Sequence, residues 1–108
     1  NTDMRKITKQ AVEAFENNKN FKSGNMEVKC IPGLFDQMYM YLHGNLIAKK
    51  VMISNDPLED KIEVTLAGWN TPTTRERLNG ITGVSVYTRR GQAYLNGNPI
   101  DDNKFYTI

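Results

Sequence analysis

Residues 38–47 read MYMYLHGNLI, and this stretch decides the fold. Apolar residues alternate along Met38–Leu42, with methionine and leucine on one face and tyrosine on the other, which is the period of a β-strand. The pair His43-Gly44 predicts a tight turn, after which the apolar pattern returns over Asn45–Ile53. Because both faces of the strand Leu34–Leu42 carry apolar bulk, we expect this strand to be central in a sheet and covered on both sides.

The chain before this hairpin predicts a helix followed by a loop and a strand. Apolar residues recur at three- and four-residue spacing over Ile7–Phe15, which indicates an amphipathic helix. Thr8 is the predicted N-cap, because Ile7 and Val12 are spaced as a hydrophobic staple requires. Residues 21–25 are predicted to form a loop, and Met26–Cys30 alternates as a half-buried strand.

The chain after the hairpin predicts short elements separated by turns. Ile62–Leu66 alternates as another strand, and Thr71 as N-cap with Pro72 at the first helical position starts a short helix that ends at Asn79-Gly80. The remaining strands are predicted at Val84–Thr88, Ala93–Leu95 and Phe105–Ile108, with turns at Arg90-Gly91 and Asn96-Gly97. We therefore predict one α+β domain over residues 1–108, with a small antiparallel sheet of about six to seven strands, an N-terminal helix and one short helix in the second half.

Composition limits the classes of partner and compartment. The chain has 108 residues, a net charge of +2 and one cysteine, Cys30. So small a charge neither requires nor excludes an anionic partner, and a protein that binds duplex DNA is usually more basic. One cysteine cannot form an internal disulfide, which suits a reducing cytoplasm. No apolar run approaches the roughly 20 residues that span a bilayer, so we expect no membrane partner.

No recognisable catalytic or metal centre is present in the sequence. His43 is the only histidine and Cys30 the only cysteine, whereas a nucleophile needs a neighbouring base and a zinc site needs about four ligands. We therefore expect a binding protein that is not an enzyme and that uses no metal or cofactor. The remaining enzymatic alternative would pair His43 with Glu59, Asp60 or Glu63.

The first candidate site is the segment that opens the second helix. A helix start offers unpaired backbone N–H groups and a positive dipole end, both of which suit a phosphate. Arginine can hold a phosphate through two N–H groups, and tryptophan can stack on a base or a sugar. The candidate ligand-binding residues here are Trp69, Asn70, Thr71, Thr73, Thr74, Arg75 and Arg77. The alternative is that the threonines only cap the helix, the indole belongs to the core and the arginines are solvated.

Two further candidate sites lie at predicted turns. Tyr87, Arg89 and Arg90 combine an aromatic ring with two arginines, which suits a nucleotide or single-stranded nucleic acid. His43 lies near Asn45 and the outward-facing Tyr39 and Tyr41, and it could also contact a ligand. For both turns the alternative is an ordinary polar surface.

Several motifs together resemble a family of small tailed-bacteriophage proteins. They are YLHGNLIA at residues 41–48, AGW at 67–69, TTRERLN at 73–79 and YLNG at 94–97. Met4–Thr8 and Phe21–Asn25 are also similar to that family, so the likeness covers most of the chain. The resemblance implies a phage protein that acts in the cytoplasm of the bacterial host, and it brings no assigned site.

A phage origin favours a role against host defence, because small non-catalytic phage proteins often disable it. The leading hypothesis is a sponge, which is a homo-oligomeric protein that sequesters a nucleotide-derived immune signal such as a cyclic oligonucleotide or cyclic ADP-ribose. Two alternatives stay open. One is an accessory nucleic-acid-binding protein that uses Arg89, Arg90, Lys49 and Lys50, and the other is a protein–protein inhibitor of a host enzyme.

Overall fold

The computed structural model describes residues 5–108, so Met4, the first residue of the Met4–Thr8 motif, lies outside it. These residues form two helices, a 3₁₀ turn and nine strands. In chain order they are α1 (Lys6–Glu16), β1 (Phe21–Ser23), β2 (Met26–Ile31), β3 (Asp36–Leu42), β4 (Asn45–Met52), the 3₁₀ turn (Pro57–Glu59), β5 (Lys61–Val64), α2 (Pro72–Asn79), β6 (Val86–Arg89), β7 (Gln92–Leu95), β8 (Asn98–Pro99) and β9 (Tyr106–Thr107).

The predicted α+β class is confirmed, and the strands divide between two sheets instead of one. The first sheet has the order β1-β2-β3-β4-β5-β9 and the second the order β6-β7-β8, with every pairing antiparallel. Buried apolar side chains from both helices and both sheets form one cluster. Neither helix in the described part of the chain is long and apolar enough to cross a membrane.

Helix α1 covers one face of the first sheet. Its buried residues include Ala11, Val12 and Phe15, which form the apolar stripe that the spacing predicts. The predicted N-cap is wrong, because Arg5 precedes the helix without a side-chain cap and Thr8 lies inside the helix. The Thr8 side chain is fully buried and donates its hydroxyl to Glu76 of α2. Thr8 therefore joins the two helices instead of starting one.

Strand β3 is central in the first sheet but is not covered equally on both faces. Met38, Met40 and Leu42 are buried beneath α1, whereas Tyr39 and Tyr41 on the other face are only half-buried. The two tyrosine rings meet edge to face with their centroids 6.3 Å apart. The expectation of full cover on both sides is therefore corrected, because tyrosine bulk on this strand faces outward.

Short edge strands account for the other differences from the sequence predictions. Phe21–Ser23, predicted to be a loop, pairs with β2 through a turn in which Gly24 has a left-handed backbone with φ +54°. Asn98–Pro99, which was not predicted as a strand, pairs with β7. The strand predicted at Phe105–Ile108 is confirmed over Tyr106–Thr107, which pairs with β5. In β1 and β8, two or three residues are too few for an alternation to be visible.

Helix α2 begins and ends at the predicted residues, but the glycine at its end is not left-handed. Thr71 caps it and Pro72 occupies its first position. Gly80, however, has φ −72°, which is right-handed. The side chain of Asn79 instead accepts from the Val86 amide at 2.6 Å and donates to the Val86 carbonyl at 2.9 Å. The end of α2 is thus fixed to the outer edge of β6.

Candidate functional site

A cavity of about 530 Å³ lies between the β3–β4 turn and the start of α2. This volume is within the range of roughly 300–1,000 Å³ that is typical of small-molecule sites. Leu42, Ile47 and Leu66 form its apolar floor, and all three are buried. Its rim consists of His43, Asn45, Ala67, Trp69, Thr71, Thr73 and Thr74.

The backbone after β5 holds Trp69 at the rim with its indole exposed. Ala67 and Gly68 both have left-handed backbones, with φ of 54° and 82°, and they reverse the chain just after Leu66. The Gly68 amide donates to the Asp102 carbonyl and the Trp69 amide to the Leu66 carbonyl, each at 2.8 Å. The Trp69 side chain is 59% exposed, which excludes a core role and leaves a flat apolar surface beside the cavity.

The start of α2 offers fewer free backbone donors than the sequence suggests. Pro72 has no N–H group, and the Thr71 hydroxyl accepts from the Thr74 amide at 3.2 Å. The Arg75 amide already bonds to the Thr71 carbonyl. The Thr73 amide is therefore the donor of the first turn that lacks a partner within residues 5–108. The cavity therefore presents threonine hydroxyls, but it does not present several free N–H groups that could bind an anion together.

Asn70, Arg75 and Thr88 form a polar bridge from this helix start to β6. A guanidinium nitrogen of Arg75 donates to the Asn70 side-chain oxygen and, at 3.0 Å, to the Thr88 hydroxyl. The Thr88 hydroxyl donates to the same Asn70 oxygen at 2.8 Å. Asn70 lies between Trp69 and Thr71, which line the cavity, so the Arg75 guanidinium bonded to Asn70 lies near the cavity without lining it.

Arg77 lies on the opposite side of α2 and faces α1. Its side chain is 1% exposed, and it donates to Thr8 at 2.8 Å and to Asn25 at 3.4 Å. It also forms an ion pair with Glu76, and its buried Nε has no partner within the described residues. Arg77 is therefore neither solvated nor at the cavity, and it acts in the contact between the helices.

Glu76 completes this internal polar cluster. It accepts from the Thr8 hydroxyl at 2.6 Å and from the Arg5 amide at 3.0 Å. Burial alone would raise the pKa of Glu76, but the hydrogen bonds from Thr8, Arg5 and Arg77, together with the positive charge of Arg77, outweigh burial and lower the pKa. The carboxylate is thus held ionised beside the buried guanidinium.

Tyr87, Arg89 and Arg90 lie on the β6–β7 hairpin and do not line the cavity. Tyr87 stacks on Tyr94 with ring centroids 5.2 Å apart. Both arginines are exposed, and neither forms a salt bridge to an acid in residues 5–108. The contact of Arg75 with Thr88, next to Arg89 on the same strand, joins this hairpin to the cavity side.

The lysines named for nucleic-acid binding and the glutamates named for the enzymatic alternative make contacts outside the cavity. Lys49 pairs with Glu63 at 3.3 Å and lies over the Phe105 ring, whereas Lys50 is buried and donates to the Phe15 carbonyl. Glu59 bonds to Ser54. Within residues 5–108 there is no group of three or more His, Cys, Asp or Glu side chains that could hold a metal ion.

The cavity floor could not be recognised from the sequence as part of the site. The alternation identifies Leu42 and Ile47 as inward residues, but nothing local indicates that space remains above them. That space is bounded on its other side by Ala67, Trp69 and Thr71, which are distant from the hairpin in the sequence.

A family model described as Kyanoviridae Gp96 protein matches residues 4–107. No curated protein and no solved structure matches the chain.

Proposed function

The chain belongs to the Kyanoviridae Gp96 family of phage proteins, and on that premise we propose that it binds and sequesters a nucleotide-derived signal of host immunity. The ligand class is a cyclic oligonucleotide or a cyclic ADP-ribose. In this proposal the protein acts in the host cytoplasm as a homo-oligomer and releases its ligand chemically unchanged.

The observation that carries the proposal is the exposed indole beside an apolar cavity. Trp69 is 59% exposed at the rim of a cavity of about 530 Å³. A planar base that stacks on an aromatic ring gains about 1–3 kcal/mol. The hydroxyls of Thr71 and Thr73 and the imidazole of His43 can exchange hydrogen bonds with the polar edge of a base or with a ribose.

The charges around the cavity favour a ligand whose phosphate lies outside it. Among the described residues no carboxylate lines the cavity, and His43 is its one titratable side chain. The polar bridge is the position near the cavity that suits a phosphate, because Arg75 is held there between Asn70 and Thr88. A nucleotide could place its base in the cavity and its phosphate at Arg75. It would then contact both the cavity and the polar bridge, since guanidinium groups bind phosphate through paired N–H donors.

Thermal-shift measurements against cyclic dinucleotides, cyclic trinucleotides and cyclic ADP-ribose test this function. At a free concentration of 100 Kd a ligand specific to the native state stabilises it by about 2.7 kcal/mol, so the Tm should rise measurably. Heat-denatured complex should release the ligand with its input mass. Conversion to a product would point to an enzyme, and no Tm change with any of these messengers would contradict the proposal.

A matched pair of variants tests the site. We expect Trp69→Ala to weaken binding at least about tenfold, because the stacking surface is removed. Tyr87→Ala removes an aromatic ring that does not line the cavity and should leave the affinity unchanged. Equal effects in the two variants would argue against this cavity as the site.

A second candidate, single-stranded nucleic-acid binding, is favoured by the β6–β7 hairpin. The stacked rings of Tyr87 and Tyr94 and the exposed side chains of Arg89 and Arg90 provide aromatic and cationic groups together. Replacing both arginines by alanine should then weaken binding to an oligothymidine and reduce its salt dependence, by about 0.7 in the log–log slope for each phosphate that is no longer neutralised. Binding that is absent or indifferent to salt would exclude this candidate.

A further inference from the structure

Several exposed apolar side chains gather at the end of the first sheet away from the cavity. Leu34 and Leu58 are 95% and 93% exposed, and Phe35 and Ile53 are 46% and 37% exposed. The pairing of Asp36 with Met52 brings the residues just before β3 beside those just after β4. Leu34, Phe35 and Ile53 border one groove, and Leu58 follows the groove residue Pro57 in the sequence. Exposed apolar side chains are therefore more concentrated here than scattered surface residues explain.

These residues border a groove of about 700 Å³ that also reaches the end of α1. Leu34, Phe35 and Ile53 contribute its apolar part, and Glu16, Asp36 and Asp60 contribute carboxylates. No lysine or arginine lines the groove within the described part of the chain. The groove thus combines apolar contact area with negative charge.

The negative charge of this end contrasts with the net charge of +2 of the whole chain. Asp56 and Glu59 lie beside the groove in the 3₁₀ segment and add two carboxylates. Lys50 is buried near the end of α1, with its ammonium group 2.7 Å from the Phe15 carbonyl, and it can offset only one of these charges. Lys19 and Lys61 follow the groove residues Asn18 and Asp60 in the sequence and add two exposed ammonium groups. Five carboxylates thus stand against three ammonium groups, and the carboxylates remain in excess.

We propose that this groove is a docking site for a basic peptide segment of a partner protein. An apolar side chain of the peptide would lie against Leu34, Phe35 and Ile53, and flanking lysines or arginines would meet Asp36 and Asp60. A second copy of the chain fits less well, because a symmetric contact would bring the same carboxylates together. Anionic lipid headgroups would be repelled for the same reason.

The groove is independent of the proposed ligand site. Strand β3 runs from Asp36 at the groove to Leu42 at the cavity floor. A strand of this length extends about 20 Å. Loss of one binding activity should therefore leave the other intact.

Fluorescence anisotropy with two synthetic peptides tests the inference. The first probe alternates leucine and phenylalanine with lysine, and the second carries glutamate in place of each lysine. We expect the full chain to bind the lysine probe, with an affinity that falls as salt rises, and to bind the glutamate probe at least about tenfold more weakly.

Two surface variants locate the binding. Leu34→Ser and Asp36→Asn alter exposed side chains, so the fold should be retained and circular dichroism can verify this. Each should weaken binding of the lysine probe about fivefold to tenfold. Trp69→Ala, at the cavity near the other end of β3, should not change this binding. Equal affinity for both probes, or unchanged affinity in both surface variants, would overturn the proposal.

Discussion

At the scale of single residues, Glu76 and Arg77 are neighbours in sequence whose side chains join α2 to α1. Thr8 bonds to both of them, so one buried hydroxyl completes a cluster of three side chains. Sequence patterns could not reveal this cluster, because arginine and glutamate in a short helix are equally consistent with a solvated surface. Only the packing of α1 across the sheet determines that Arg77 is buried.

Glu76→Ala should remove the partner of a buried guanidinium and destabilise the protein by about 3 kcal/mol at pH 7. The pKa of Glu76 is below its ordinary value of 4.5 in the folded chain, so its contribution to stability is present above pH 4.5 and is lost as the pH falls through the folded-state pKa. The stabilities of wild type and variant should therefore converge in acid, as measured by urea unfolding from pH 7 to pH 3.

Glu13→Ala on the exposed face of α1 is the control and should change stability by less than about 0.5 kcal/mol. Curves for wild type and Glu76→Ala that stay parallel down to pH 3 would contradict this account of the cluster.

At the scale of elements, the positions of the turns and of the end of α2 were predictable, but the backbone conformation at the end of α2 was not. His43-Gly44, Arg90-Gly91 and Asn96-Gly97 all adopt left-handed backbones, as the residue types predict. Gly80, which is equally suggestive in sequence, remains right-handed because the Asn79 side chain has already fixed the helix end. Local sequence determines which conformations are accessible, and tertiary hydrogen bonds select among them.

Asn79→Ala should release the end of α2 from β6. Two hydrogen bonds to the Val86 backbone would be removed, and we expect a destabilisation of about 1–3 kcal/mol with faster hydrogen exchange of the Val86 amide. Asn98→Ala alters an exposed asparagine on β8 and should leave both quantities near the wild-type values. Val86 exchange that is unchanged in Asn79→Ala would show that another contact fixes this edge.

At the scale of the whole molecule, one apolar cluster underlies both sheets. Met40 of the first sheet and Leu95 of the second belong to it, together with Leu78 of α2. The alternating pattern identified most of these residues as buried. It could not indicate that the strands form two sheets, because the division depends on how the chain reverses after β5.

A shared core predicts cooperative unfolding. Met40→Ala and Leu95→Ala should each lower the stability by about 2–5 kcal/mol, and each should shift one common transition. Far-ultraviolet circular dichroism and the near-ultraviolet tyrosine signal should give coincident unfolding curves. Two separate transitions, each sensitive to only one of the variants, would mean that the sheets unfold independently.

Trp69 is the only tryptophan of the chain, and its indole is exposed at the rim of the cavity. All indole fluorescence of the protein therefore originates at one position, next to the floor formed by Leu42, Ile47 and Leu66. A ring stacked on that indole would quench its emission, and an apolar group placed beside it would shift the emission to the blue. The protein thus carries its own optical sensor of cavity occupancy, which can be titrated without any label.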